Sequence, residues 1–175
     1  MARLLDRLYD FAGWLAAIAI LIICCVVSAQ IGLNILARIG GPAWSWTIPS
    51  YADFAGFALA AASFLALAHT LRRGGHIRVN LVTDRMRPRA RWGVELLTLA
   101  LSTLMSGYAT YYVILLVMES VHYGDQSTGI IAVPLWIPQL PVAIGLVLLT
   151  IALIHTLAES VIARAPVLTA DTTEE

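Results

Sequence analysis

Apolar residues fill four long stretches of this chain, about 11–37, 51–71, 93–118 and 138–160, and polar residues gather between them. A helix that crosses a bilayer needs about 20 mostly apolar residues, because a backbone in lipid must satisfy its hydrogen bonds internally. Each stretch meets that length. Each is rich in Leu, Ile and Ala and lacks the alternation over about 10 residues that marks a barrel strand. The pattern predicts an all-α integral membrane protein with four transmembrane helices, forming one domain over 1–165 and leaving a flexible tail at 166–175. Arg3, Asp6, Arg7 and Asp10 fall on one side of a helix and Leu4, Leu8 and Phe11 on another, so an interfacial amphipathic turn is expected at the N-terminus. A second interfacial segment is expected between 72 and 91, where Val79, Leu81, Val82 and Met86 stand among arginines that attract anionic lipid.

Arg3 and Arg7 before an apolar run, with Val27-Ser28-Ala29 further on, have the outline of a secretory signal. The run continues through Ile31, Leu33, Ile35 and Leu36, so an uncleaved first span is expected.

Composition narrows the class. Hydrophobic residues make up 59% and charged residues 13%, with a mean hydropathy of +0.81. A soluble domain carries about 25% charged residues. Soluble, disordered, collagenous and disulfide-scaffold classes are therefore excluded. The net charge is zero, which gives no reason to expect a nucleic-acid partner.

The distribution of arginine gives an orientation. Arg3 and Arg7 precede the first span, Arg72, Arg73, Arg78, Arg85, Arg87, Arg89 and Arg91 lie between the second and third, and Arg164 follows the fourth. Arg38 alone falls on the other side. Positive residues stay on the cytoplasmic side, so both termini and the middle link are expected there, with links 38–50 and 119–134 outside. Turn residues agree. Gly40-Gly41-Pro42 stops the first helix, Trp44 and Trp46 suit an interfacial belt, and Gly124 ends the third. Pro134, Pro138 and Pro141 predict an irregular approach to the fourth helix. No pair of spans is interrupted by Gly or Pro at matched positions, so the chain is not expected to be a transport path itself.

Several polar residues invite chemistry. Asp53 is the acid nearest a span, and Ser50 three residues earlier makes an S-x-x-D capping box the favoured account of it. Glu95 is expected as a surface charge at a helix end. His69 and His155 stand near the same end of the second and fourth helices, where two haem ligands would have to face one another; an interfacial position is the simpler expectation. Glu119, His122 and Asp125 read as a solvated loop rather than a metal site. Cys24 and Cys25 are adjacent and cannot form an ordinary disulfide together. Gln30 and Asn34, one turn apart, suit a contact between helices. Ala55, Gly56, Ala60, Ala61, Ala62, Ser63 and Ala66 give the second helix a small-residue surface suited to a larger membrane partner.

These residues carry a resemblance. The stretch from Asp53 through Phe64, Leu65, Ala66 and Ala68 to Leu71-Arg72-Arg73-Gly74-Gly75-His76-Ile77-Arg78-Val79-Asn80 resembles the signature of the small membrane subunit, DctQ-type, of the tripartite ATP-independent periplasmic (TRAP) transporters. A second match, Gly124, Ser127-Thr128, Pro134, Trp136 and Pro141 before Gly145, is similar to that family's loop into its last helix. Asn80 stands where the family usually has Asp, Ala61 where Trp is frequent and Ala66 where Gly is frequent.

The resemblance implies a small permease of the bacterial inner membrane. A periplasmic substrate-binding protein captures an organic acid, a large multi-span membrane subunit imports it with a sodium gradient, and the small subunit braces the large one. It implies no enzyme activity, no cofactor and no catalytic, substrate or metal residue in this chain. Gln30, Asn34, Asp53, Arg72, Arg73, Gly75, His76, Ser127, Pro134, Trp136 and Pro141 are the candidates for structural or subunit-interface roles. A haem-bearing anchor of a respiratory enzyme and a membrane assembly factor remain the alternatives. For Arg73 and His76 two accounts stand open: any basic residue could hold the helix end at the headgroups, or Arg73 could make a specific hydrogen bond that Lys would not reproduce.

Overall fold

The computed structural model describes residues 2–73 and 87–163. Gly75 and His76, most of the interfacial segment expected in the middle link, and the expected tail lie outside the described residues. Four long helices, α1 (Ala2–Gly40), α2 (Tyr51–Arg72), α3 (Pro88–Tyr123) and α4 (Trp136–Ala163), account for most of the rest, with a 3-10 turn at Pro42–Trp44. All four are long and apolar enough to cross a membrane. The fold is all-α.

Helix boundaries follow local chemistry. Gly41 at φ 73° and Gly124 at φ 67° leave α1 and α3 through the left-handed region that glycine enters without a Cβ clash. Pro88 opens α3, where the missing N–H is no loss and its φ is already helical. Three boundaries differ from expectation. First, α1 is one continuous helix of 39 residues, so the N-terminal amphipathic turn is its first part rather than a separate element. Second, Arg89, Arg91 and Trp92 belong to α3 rather than to a surface-lying link. Third, α4 runs from Trp136 with Pro138 in its first turn and Pro141 inside it, so the approach is helical. At Pro141 only one backbone donor is missing, near the helix start, where few bonds depend on it.

Packing makes a row. α1 lies against α2, α2 against α4, and α4 against α3, which leaves α1 and α3 as the two edges. α2 and α4 run parallel, while α1 and α3 run the other way. Two glycines permit close approach. A Cβ at Gly145 would collide with the Phe64 carbonyl of α2 and stand 2.9 Å from the Leu65 nitrogen, and one at Gly13 would stand 2.8 Å from the His69 ring. Of the small residues of α2, Ala62 and Ala68 are buried against its neighbours, while Gly56 and Ser63 stay exposed. The row converges at the end where α1 and α3 begin and α2 and α4 finish. There Tyr9, only 1% exposed, joins Ala68, Leu71, Leu99, Ala152 and Leu153 in one apolar cluster.

At 39 and 36 residues α1 and α3 reach about 58 and 54 Å at about 1.5 Å per residue, against a hydrocarbon core of about 30 Å. Both must tilt or project beyond the core.

Candidate functional site

Polar side chains concentrate at the two ends of the bundle. At the arginine-rich end the last turn of α2 supplies Arg72 and Arg73, which meet acids from both neighbours. Arg72 donates from Nη1 to Glu159 Oε2 of α4 at 2.6 Å and from Nη2 to Glu159 Oε1 at 3.4 Å. This is the two-pronged pairing that a planar guanidinium makes with a carboxylate. Arg72 Nη1 also lies 3.5 Å from Thr156 Oγ1, and Nη2 lies 3.8 Å from Asp6 Oδ1 of α1. Arg73 donates from Nη2 to Asp10 Oδ1 at 2.9 Å. His69 Nδ1 sits 3.2 Å from the same Asp10 oxygen, in ion-pair range but without hydrogen-bond alignment. His155 Nε2 is 3.4 Å from Glu159 Oε1. His69 and His155 therefore each face a carboxylate. α3 joins through Trp92, whose Nε1 donates to the Ser160 carbonyl of α4 at 3.1 Å. Glu95, expected at the surface, is buried at 8% exposure, because the convergence of the helices covers this part of α3.

The opposite end is held differently. Gln30, 3% exposed, donates from Nε2 to Asn34 Oδ1 at 3.0 Å and accepts the Ile48 backbone N–H on Oε1 at 2.9 Å. It thereby pins the link before α2 against α1. Ser127 closes the loop between α3 and α4: its backbone N–H reaches the Val133 carbonyl at 2.8 Å, and its Oγ accepts the Val133 N–H at 3.0 Å. Gln126 and Pro134 pair across the same loop, and the Pro134 carbonyl accepts the Ile137 N–H in the first turn of α4. Trp136 begins that helix, partly exposed.

The capping box is not formed. Ser50 occupies the N-cap position of α2, but at φ 55° its hydroxyl makes no bond to the helix. Its Oγ instead accepts the Ile131 N–H at 2.9 Å, so the loop after α3 is fastened to the start of α2. Asp53 lies against Gly129 of that loop, where any side chain would displace its carboxylate. Together Ser50, Asp53, Thr128, Gly129 and Ile130 line part of a cleft of ≈ 340 Å³. A tertiary partner for Ser50 has displaced the local one.

Between the ends, Ser106 and Thr110 of α3 lie 2.8 and 3.0 Å from Thr150 Oγ1 of α4. At the arginine-rich end and in this middle polar groups join one helix to another, and at the opposite end they fasten the loops. Among the described residues no group of three or more His, Cys, Asp or Glu could hold a metal ion.

The family described as tripartite ATP-independent periplasmic transporters, DctQ component, matches residues 33–163. The chain belongs to the DctQ family. No curated protein and no solved structure matches it significantly. The matched region of this DctQ chain begins inside α1 and takes in α2, α3 and α4. It includes the Arg72–Glu159 pair, Gln30's partner Ile48 and the Ser50–Ile131 bond, and it leaves Asp6, Tyr9 and Asp10 before its start. DctQ is a component of a transporter, so this chain is a membrane transport component that associates with other TRAP components. The sequence singles out Arg72 and Arg73 but does not pair them with Asp6, Asp10 or Glu159. Asp6 and Asp10, one turn apart in α1, were the available signal.

Proposed function

We propose that this chain is the small permease subunit that braces the large membrane subunit of a TRAP transporter, while the substrate and coupling-ion path lies in that partner. The complex imports an organic acid from a periplasmic binding protein with a sodium gradient across the bacterial inner membrane, and both termini of this chain face the cytoplasm. The supporting observation is the way α2 is locked to both neighbours, by Arg72 to Glu159 and Arg73 to Asp10, with polar groups turned toward one another across helix seams. Such clasps favour a bundle that acts as one body. Beside a subunit that shifts a transport element, it adds rigid helix surface to the stationary part and resists tilting.

The decisive experiment is reconstitution. The purified chain alone in liposomes should take up no organic acid with or without sodium, and uptake should require the large subunit together with the binding protein. Sodium-dependent uptake by this chain alone would overturn the proposal. Orientation has its own check. Single cysteines at Ser45 and Gln126, in a background lacking Cys24 and Cys25, should react with an impermeant thiol reagent outside spheroplasts, and one at Thr172 should not.

A further inference from the structure

The two edge helices present different chemistry to their surroundings. In the middle of α1 the exposed large side chains are Ile18, Ile20, Leu21, Ile22 and Ile31, with Cys24 and Cys25 beside them, and the exposed Trp14 and Asn34 stand nearer its ends. Its one exposed hydroxyl, Ser28, is of a kind that can bond the carbonyl one turn back within its own helix. Lipid satisfies such a surface. Along α3 the outward face instead carries Tyr108, Tyr111 and Tyr112, which are 62%, 60% and 52% exposed. Their rings touch one another, with centroids 4.6 Å apart for Tyr108 and Tyr112 and 5.3 Å for Tyr111 and Tyr112. None of their hydroxyls has a hydrogen-bond partner among the described residues.

Depth makes this costly. The charges that bound the apolar part of α3 are Glu95 and Glu119, and Tyr108 lies near the midpoint between them. Side chains on a helix lean toward its N-terminus, so Tyr111 and Tyr112 tip deeper toward Tyr108 rather than outward to the nearer interface at Tyr123. Tyrosine belongs at the membrane interface, where its ring is in lipid and its hydroxyl in water. Here three fall well inside the apolar stretch between Glu95 and Glu119. A tyrosine hydroxyl cannot reach the backbone of its own helix as Ser or Thr can. At the same level on the inner face of α3, Ser106 and Thr110 find Thr150. At this level the inward hydroxyls are paired and the three tyrosine hydroxyls are not.

We propose that the Tyr108, Tyr111 and Tyr112 face of α3 is the surface on which the large membrane subunit docks, and that the partner helix presents carbonyl, amide or hydroxyl acceptors at that depth. α1 is then the lipid-facing edge. This rests on the reading of the chain as a subunit that braces a larger membrane protein. It goes further by assigning the docking edge and the chemistry of the partner's surface.

The test uses the chain coexpressed with the large subunit. A photoreactive benzophenone side chain is installed at Tyr108 or Tyr112 on α3, or at Ile22 on α1, and the membranes are irradiated before purification. The α3 positions should give a product with the mass of both subunits, and Ile22 should give none. The variant combining Tyr108→Phe, Tyr111→Phe and Tyr112→Phe keeps the rings and loses the hydroxyls. It should express and fold like the parent but associate about 20-fold more weakly, the loss expected of three interhelical hydrogen bonds of average membrane strength. Crosslinking from Ile22, a product of twice this chain's mass, or undiminished association of the triple variant would overturn the docking assignment while leaving the bracing role intact. Failure of the unmodified pair to copurify would overturn the bracing role and the assignment together.

Discussion

The two ends of the bundle solve one problem, holding helices in register, with different chemistry. At the arginine-rich end the links are charged and run between helices: Arg72 to Glu159 and Asp6, Arg73 to Asp10. At the opposite end they are neutral and run from side chains to loop backbone: Gln30 to Ile48, Ser50 to Ile131, Ser127 to Val133. The difference follows from what each end must fix. Rigid helix ends meet mainly through side chains, with the Trp92 bond to the Ser160 carbonyl as the neutral exception, and long charged side chains span the gap. Loops carry unpaired backbone donors that need an acceptor. A charged clasp is weakened by salt, whereas a neutral bond to a part-buried N–H is not.

The seam common to both ends provides the strongest perturbation. Gly145→Val puts a branched side chain against the Phe64 carbonyl, and overpacking a site whose neighbour is backbone should cost about 3 kcal/mol. Thermal unfolding in detergent measures it. If the ends are parts of one cooperative unit, cysteine accessibility should rise at both together; a rise at one end alone would separate them.

Arg72→Ala tests the charged end. It strips Glu159 of its two-pronged partner and should cost about 2 kcal/mol, as hydrogen bonds to charged groups do. Arg72→Lys should recover less than half of that, since an ammonium cannot reproduce the fork. Full recovery by Lys would reduce the clasp to simple charge attraction.

For the neutral end the matching variant is Gln30→Leu, which leaves the Ile48 N–H without its acceptor. A loss of about 1.5 kcal/mol is expected, unchanged between low and high salt. A salt-dependent loss would break the contrast between the ends.

The smallest effect is expected at Arg73→Lys. Both Arg73 and Asp10 are largely solvent-facing, at 66% and 45% exposure, and exposed pairs contribute about 0.5 kcal/mol. Raising the salt from about 0.1 to about 1 M shortens the screening length from about 10 to about 3 Å, and the parent's small advantage should vanish. A larger, salt-resistant loss at Arg73 would mean that the fork itself matters at this position.

The legible parts of the site were those with local causes. Gln30 and Asn34 were expected at a contact between helices; they bond one another within α1, which their one-turn spacing alone allows to be expected. Gln30's bond to Ile48 could not, because it depends on how the link folds back. Ser50 shows the limit most clearly: the motif for a capping box was present, yet the hydroxyl faces a backbone N–H 81 positions away in sequence. A local motif states which bonds are available, and competition from distant groups selects among them. Glu95 failed for a related reason. Its place at a helix start suggested water, but the convergence of the helices around Tyr9 and Leu99 covers that level of the bundle.

By itself the sequence determined the class of protein, the number of spans and the family. Those properties depend on how long an apolar run is and which residues interrupt it, and lipid requires every such run to be helical whatever lies beside it. Only the tertiary structure decided that α2 sits between α1 and α4, that Arg72 and Arg73 reach acids in both, and that α3 is an edge with tyrosines turned outward. The physical reason is that hydrophobicity drives each helix into the membrane but does not distinguish one apolar neighbour from another there. Neighbours are chosen by close approach at glycine and by the pairing of polar groups, and both depend on which helices meet.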